Sequence, residues 1–330
     1  LNNFIAEATR QGVSNNSSVT ADIGVMNAGG VRAEIEAGDV TYEQAFSVQP
    51  FGGENTYVEL KGSDVVQALE EQWRDDPDRP MFPLGISDNV SYTYDPAAPV
   101  GSKITSVTVD GAPIDPEKTY VVAGSTFLLG GGDNFKAFTK GTEPANLGYV
   151  DLNALVEALS GGQQQRTSQS NVGVHLPAPL TAGEEATIEL SSLLFDQGET
   201  ATTATATLGD ASGSATISPN NADQTANEYG TATVKLTVPA GMSGTQELRI
   251  TTDAGTEAVV PVEVAPAAGQ AEPNEPEPNE PTPAAENGSS SGDLGWIIPV
   301  AIAGAFGLAN LVALLFPFAV DRVLGPVAKR

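Results

Sequence analysis

A glycine-rich stretch at residues 127–135 carries the residue types that most clearly suggest chemistry. It places Phe127, three consecutive glycines and Asp133 close together, directly after a strand-like run at 119–123. Glycine adopts positive φ without steric cost and lets the backbone approach a ligand closely. The stretch therefore suits a loop that presents a ring and a carboxylate to a flat, polar molecule. Taken alone, it is more typical of a plain turn.

Two other loops have a related composition and favour a binding site. One is Pro50-Phe51-Gly52-Gly53, and the other runs from Asn27 through Gly29 and Gly30 to Arg32. Two phenylalanine rings can clamp a planar base, and such stacking tolerates different bases. A carboxylate accepts hydrogen bonds from vicinal hydroxyls, and an amide offers a donor and an acceptor to a base edge. An arginine beside glycines suits a phosphate or carboxylate.

Each of these side chains also has an ordinary structural interpretation. Phe51 and Phe127 could pack in a core, Asp133 could cap a turn, Asn27 could form an Asx turn, and Arg32 could form a surface salt bridge. Each interpretation is the more common one for a single residue. The joint occurrence of all five favours a site for a nucleoside-like ligand.

The charge and composition exclude several classes of function. The chain has 330 residues, with 15 basic and 42 acidic side chains and a net charge of −27. Such a charge repels phosphate backbones, so we expect no nucleic-acid partner. The sequence contains no cysteine and one histidine, His175. Since catalytic metal sites usually combine several histidines and carboxylates, we expect no metal centre in this chain, and we expect His175 to be a solvated residue at a domain boundary.

Residues 1–175 show mixed helix and strand patterns without strict alternation, which predicts an α+β domain. A capping box at Thr41 and Gln44 predicts the start of a helix, and Asp110-Gly111 predicts a hairpin turn. The apolar periodicity predicts helices at 1–10, 41–47, 63–73 and 152–159, a loop at 11–20, and strands at 23–26, 56–60, 90–94, 104–109 and 120–123.

The rest of the chain has a different composition. Residues 176–265 contain several short runs of period two, which predict an all-β, immunoglobulin-like sandwich that acts as a stalk or spacer. Residues 266–293 are rich in Pro, Glu and Ser, which predicts a disordered linker.

Residues 294–320 contain no charged side chain, and this length exceeds what a helix needs to cross a bilayer. Lys329 and Arg330 lie in the short segment 321–330 beyond it. By the positive-inside rule, we expect a single membrane helix with a cytoplasmic tail and with the preceding domains outside a bacterial cell. The lipid bilayer is therefore an expected partner.

The motifs of residues 1–145 together resemble the C-terminal domain of the 5'-nucleotidase/UDP-sugar hydrolase family. The resemblance rests on residues 27–32, on Thr41-Tyr42-Glu43 and Pro50-Phe51-Gly52, on Tyr94-Asp95, and on Phe127-Leu128 with Gly131-Gly132-Asp133. It implies a nucleoside-binding α+β domain. It also implies that the base lies between Phe51 and Phe127.

The resemblance assigns roles to further residues and implies a missing partner domain. It implies that Asp133 holds the ribose, that Asn27 contacts the base, that Gly29 and Gly30 belong to the same binding loop, and that Arg32 contacts the phosphate. In this family a separate N-terminal metallophosphatase domain holds two divalent metal ions and performs the chemistry. The chain begins at Leu1 and contains no such domain, so we expect it to be part of a longer precursor.

These observations predict the substrate-binding portion of a cell-surface phosphohydrolase that converts extracellular nucleotides to nucleoside and phosphate. The chain alone is expected to contain no catalytic residue and to hydrolyse nothing. Its expected partners are a nucleoside or nucleotide and the N-terminal domain of the same precursor. The alternative is a non-catalytic surface protein with an adhesive or structural role.

Overall fold

Three β-sheets organise the chain in the computed structural model, which describes residues 1–195, 200–219 and 229–267. The described residues all fall within one compact unit. The helices are α1 (Asn2–Asn16), α2 (Tyr42–Val48), α3 (Gly62–Glu70), α4 (Thr126–Leu129) and α5 (Asp151–Ser160). The first eight strands are β1 (Ile23–Asn27), β2 (Glu54–Lys61), β3 (Leu84–Ile86), β4 (Val90–Tyr94), β5 (Ile104–Val109), β6 (Ala112–Pro113), β7 (Thr119–Ser125) and β8 (Tyr149–Val150). The others are β9 (Asn171–His175), β10 (Leu180–Thr181), β11 (Glu185–Ser191), β12 (Thr203–Leu208), β13 (Ala211–Thr216), β14 (Ala232–Thr237), β15 (Gly244–Thr252) and β16 (Glu257–Ala265).

The first sheet is mixed and has the strand order β3-β1-β7-β2-β8. Helix α1 packs closely against this sheet at Gly24 in β1. A Cβ at this position would come within 2.1 Å of the carbonyl oxygen of Ala6, so the close approach needs glycine. Helix α1 also contacts α5. These contacts bury Phe4, Ile5 and Leu155. The α+β fold predicted for the N-terminal region is therefore present.

The second sheet joins the N-terminal region to the segment that follows it. Its order is β14-β11-β9-β4-β5-β6, and β9 pairs in parallel with β4 and antiparallel with β11. The third sheet has the order β10-β16-β15-β12-β13. Side chains from both of these sheets, among them Val172, Ile188, Leu208 and Val260, share one hydrophobic core. A two-sheet sandwich is therefore present, and one of its sheets continues into β4 and β5. Its predicted immunoglobulin-like class stays a prediction, as do the domain boundaries.

Local signals located most elements, and the differences have physical reasons. Helix α1 continues to Asn16, where a loop was predicted, because Val13 is fully buried and the side chains of Ser14 and Asn16 bond to carbonyl oxygens one turn earlier. Helix α3 ends at Glu70 rather than at Trp73, because Trp73 instead forms a β-bridge with Met81.

His175, which the sequence predicted to be a solvated residue at a domain boundary, is only partly solvated. It ends β9, its side chain is only 26% exposed, and its Nδ1 lies 2.9 Å from Oδ1 of Asp95. Asp95 directly follows β4, the parallel neighbour of β9. The pair thus forms where the two strands end side by side.

Helix α2 begins with the predicted capping box, which provides a stability test. The backbone N–H of Gln44 donates to Oγ1 of Thr41, and the N–H of Thr41 donates to Oε1 of Gln44 at 2.7 Å. Thr41→Ala is expected to lower the free energy of unfolding by about 1 kcal/mol, because helix N-H groups lose their side-chain acceptor. Urea denaturation measures this change. Thr41→Ser keeps the acceptor and is the matched control. Equal stability of the alanine and wild-type proteins would contradict the prediction.

The predicted membrane span at 294–320 and tail at 321–330 lie outside the described residues, as does nearly all of the predicted linker at 266–293. None of the helices in the described part of the chain is both long and apolar enough to cross a membrane.

Candidate functional site

Strand pairing brings the three predicted loops to one edge of the first sheet. Strand β1 runs parallel to β7, with Gly24 opposite Ala123, and β2 runs antiparallel to β7, with Asn55 opposite Ser125. The carboxyl ends of β1 and β7 therefore meet the amino end of β2. We call the segments at this edge the site loops: residues 27–32 after β1, 49–53 before β2, and 126–135 after β7.

Two of the phenylalanines in the site loops, Phe51 and Phe127, have exposed side chains, which is unusual for this residue. Phe51 is 65% exposed and Phe127 is 59% exposed, whereas the nearby Phe135 and Phe138 are buried. Phe127 lies on the short helix α4, which Ser125 caps, where the sequence had predicted a loop. Its ring lies against Gly132. A Cβ on Gly132 would come within 2.5 Å of Cε1 of Phe127. The glycine thus makes room for the ring.

The loop that carries Phe51 is held at both of its ends. The backbone N–H of Asp151 donates to the carbonyl oxygen of Gly53 at 2.8 Å, and the carbonyl oxygen of Val48 accepts from the N–H of Arg32 at 2.9 Å. Gly52 has a φ of +61°, which favours glycine in this turn. Burial raises the pKa of the Asp151 carboxyl above its ordinary value. The loop is therefore anchored to α5 at one end and, through Val48, to the first site loop at the other, while the ring itself projects into solvent.

Asn27 and Asp133 meet although 106 positions separate them in the sequence. Nδ2 of Asn27 donates a hydrogen bond to Oδ2 of Asp133 at 2.5 Å, and Asn27 is only 4% exposed. A Cβ on Gly29 would lie 3.1 Å from the same carboxylate oxygen, and one on Gly30 would lie 2.5 Å from Cε of Met26. A side chain at position 29 would therefore crowd the carboxylate, whereas one at position 30 would mainly displace the flexible end of Met26. The amide of Asn27 holds the carboxylate, which limits the donors it can offer to a base.

Arg32 joins the first site loop to the second. Its guanidinium carbon lies 6.0 Å from the centre of the Phe51 ring, and Nη1 donates to the carbonyl oxygen of Gly29 at 3.4 Å. A guanidinium has five N–H donors, so most of its capacity is available to an anion. Arg32, Phe51 and Gly29 are therefore neighbours, and Gly29 in turn borders Asp133.

Two residues at the site were not predicted from the sequence. Nη2 of Arg74 donates a hydrogen bond to the backbone carbonyl oxygen of Asp133. Cζ of Phe82 would lie 3.4 Å from a Cβ on Gly29, so a third ring borders the site. Both residues lie in the irregular segment between α3 and β3. This segment has no periodic pattern, and only the fold brings it to the site loops.

Comparisons with known proteins agree with this fold. Residues 1–140 match the family model described as the 5'-nucleotidase C-terminal domain. This part of the chain is therefore similar to that domain, as its motifs predicted.

Three relatives show how far the similarity extends. Protein UshA of Salmonella pullorum is 38% identical over 137 residues, which cover 42% of this chain and 24% of that protein. A 5'-nucleotidase of Vibrio cholerae is 33% identical over 141 residues, which cover 42% of this chain and 24% of that protein. The cell wall protein Lmo0130 of Listeria monocytogenes is 33% identical over 149 residues, which cover 42% of this chain and 18% of that protein. The chain thus spans about a quarter or less of each relative.

Proposed function

We propose that the site loops bind the nucleoside part of a nucleotide. The base lies between Phe51 and Phe127, Asp133 accepts hydrogen bonds from the ribose hydroxyls, and Asn27 contacts the base edge through its remaining acceptor. Arg32 binds the phosphate, and Gly29 and Gly30 allow the ligand to approach the backbone. The observation that carries this proposal is the pair of exposed rings at one sheet edge, with a carboxylate held beside them.

The biological role proposed for the chain is substrate positioning within a larger phosphohydrolase. Two relatives bear the names UshA and 5'-nucleotidase, and each is about four times as long as the matched region. We propose that a separate N-terminal metallophosphatase domain of the same precursor holds two divalent metal ions and activates a water molecule. The present chain orients the phosphoryl group against that centre, which lowers the barrier by reducing the entropy cost of the reaction. By itself, it hydrolyses no nucleotide.

The proposed location is the outer surface of a bacterial cell. The uncharged run at 294–320 anchors the chain in the membrane, and the acidic, Pro-rich linker separates the anchor from the folded domains. A relative is named as a cell wall protein, which is consistent with this location. Extracellular nucleotides are then the accessible substrates.

A titration of the 330-residue chain tests the proposal. Adenosine, uridine and their 5'-monophosphates are titrated by calorimetry against the wild-type protein and against Arg32→Gln. The wild-type protein is expected to bind each monophosphate more tightly than its nucleoside. Arg32→Gln is expected to weaken monophosphate binding about 10-fold, because a charge-assisted hydrogen bond to phosphate is lost, and to leave nucleoside binding within about 2-fold.

A matched control and a contradictory result complete this test. Lys136→Gln removes a positive charge directly after the third site loop without touching the proposed phosphate position, and it should bind every ligand as the wild type does. If no nucleoside or nucleotide binds at millimolar concentration, the proposed function is wrong and the adhesive or structural alternative stands. If Arg32→Gln weakens adenosine and its monophosphate equally, the phosphate role of Arg32 is wrong.

A further inference from the structure

The backbone around Asp133 adopts the left-handed conformation, which is uncommon for residues that carry a Cβ. Gly131, Asp133 and Asn134 have φ values of +89°, +51° and +67°. Glycine accepts positive φ easily, but residues with a Cβ do so at a cost. Asp and Asn adopt this conformation more readily than other residues with a Cβ, so the cost is modest, and contacts from neighbouring segments can set the geometry of the loop. The position of the Asp133 carboxylate depends on those contacts.

Arg74 provides one of these contacts from the segment that follows α3. Its Nη2 donates to the carbonyl oxygen of Asp133, which is the left-handed residue itself. Its Nε donates to the carbonyl oxygen of Glu71 at 3.5 Å. The guanidinium therefore links the end of α3 to the third site loop. A carbonyl held in this way fixes the peptide plane next to the Asp133 side chain.

Two aromatic rings hold the guanidinium of Arg74 in place. Its Cζ lies 4.9 Å from the centre of the Phe82 ring and 5.5 Å from that of Phe135. A planar cation is attracted to aromatic faces at these distances. Phe135 is completely buried, and Phe82 borders Gly29 at the site. The orientation of Arg74 is thus determined by packing on both sides of the loop.

The neighbouring Glu71 reinforces the same connection. Its carboxylate accepts from the backbone N–H of Ala137, with N–O distances of 3.0 and 3.1 Å. The segment at the end of α3 therefore contacts the third site loop at Asp133 and the backbone just beyond this loop at Ala137. Arg74 makes the contact that lies next to the carboxylate.

We infer that Arg74 is a positioning residue for ribose recognition: it holds the left-handed loop so that the Asp133 carboxylate faces the sugar hydroxyls. Arg74 touches the backbone of Asp133 and not the ligand. This inference rests on the proposed nucleoside site and adds a residue that binding motifs do not identify. Without Arg74, the peptide plane of Asp133 is no longer fixed and the carboxylate loses its orientation toward the ribose, although Asn27 still contacts it.

The test measures ribose-dependent affinity rather than affinity alone. Adenosine and 2',3'-dideoxyadenosine are titrated against the full chain and against Arg74→Ala, Arg74→Lys and the control Arg79→Ala. The wild-type protein is expected to bind adenosine about 10-fold more tightly than the dideoxy compound, because only adenosine offers hydroxyls to the carboxylate. Arg74→Ala should bind both compounds about equally, at the wild-type affinity for dideoxyadenosine.

The two further variants separate positioning from general stability. Arg74→Lys keeps a donor but lacks the planar stacking, so its preference for adenosine should be intermediate, about 3-fold. Arg79 is exposed in the same segment, and Arg79→Ala should keep the full preference. Circular dichroism establishes whether each variant is folded. If Arg74→Ala is unfolded, the preference measured with Arg74→Lys decides the question.

Three results would overturn the inference, and they are distinguishable. If the wild-type protein binds neither compound, the proposed nucleoside site itself is wrong, and the inference fails with it. If the wild-type protein prefers adenosine and the folded Arg74 variants keep both that preference and the wild-type affinities, the site stands and the positioning role is wrong. If a folded Arg74 variant weakens both compounds by the same factor, Arg74 has only a structural role.

Discussion

Phe127→Ala is expected to weaken adenosine binding about 30-fold, and uridine binding by a similar factor. Stacking of a base on an aromatic side chain contributes roughly 1–3 kcal/mol, and 2 kcal/mol corresponds to about 30-fold. Because the ring stacks on any base, the loss should not depend on the base. The ring is 59% exposed and lies across a glycine, so removing it leaves no cavity in the core. Fluorescence or calorimetric titration measures the affinities.

A second exposed phenylalanine provides the matched control for this substitution. Phe46 is 47% exposed on α2 and lies outside the site loops. Phe46→Ala removes the same side chain and should change nucleoside affinity less than about 2-fold. Thermal unfolding of both variants should match the wild type within a few degrees. The stacking role would be disproved if Phe127→Ala bound adenosine as tightly as the wild-type protein does.

Much of the fold follows from short-range signals, because the residues that form each signal are close in sequence. Residues 90–94 and 104–109 were located to the residue, and Asp110 and Gly111 form the predicted hairpin turn after the second of these strands, with positive φ at both positions. The pairing of β1 with β7 was not predictable in the same way. It joins residues about 100 positions apart, and no local pattern specifies which distant strand becomes the neighbour.

The candidate site shows the same difference between short-range and long-range signals. Phe51, Phe127 and Asp133 were proposed as ligand-binding residues because they occur together in glycine-rich loops, although each alone has a more common structural interpretation. The hydrogen bond between Asn27 and Asp133 and the contact of Arg74 with the Asp133 backbone were not identified. Both depend on where two distant segments meet in space. Side-chain type indicated the chemistry, and tertiary structure determined which groups support it.

A chain that ends at residue 168 is expected to be less stable than one that ends at 267 by about 3–6 kcal/mol. The shorter chain lacks β9, so β4 loses its parallel partner at Tyr92, Thr93 and Tyr94. The buried hydroxyl of Tyr94, 2.7 Å from Oγ of Ser192, loses that neighbour. A lost buried hydrogen bond costs roughly 1–3 kcal/mol, and exposing a large apolar side chain costs roughly 1.5–3 kcal/mol. Thermal unfolding should therefore begin roughly 6–24 °C lower.

This comparison decides whether the sandwich is a detachable spacer or a part of the fold that supports the site. A spacer would unfold independently, so the chain ending at 267 would show two transitions, and the N-terminal region would melt at the same temperature with or without it. The shared sheet instead requires one cooperative transition, because Ser106 of β5 bonds to the carbonyl oxygen of Val259 and β9 completes the sheet that contains β4. Saturating adenosine should then raise the single midpoint of the longer chain, since a ligand stabilises the whole unit that it requires to be folded. Two transitions, with only one of them shifted by adenosine, would restore the interpretation of the sandwich as an independent stalk.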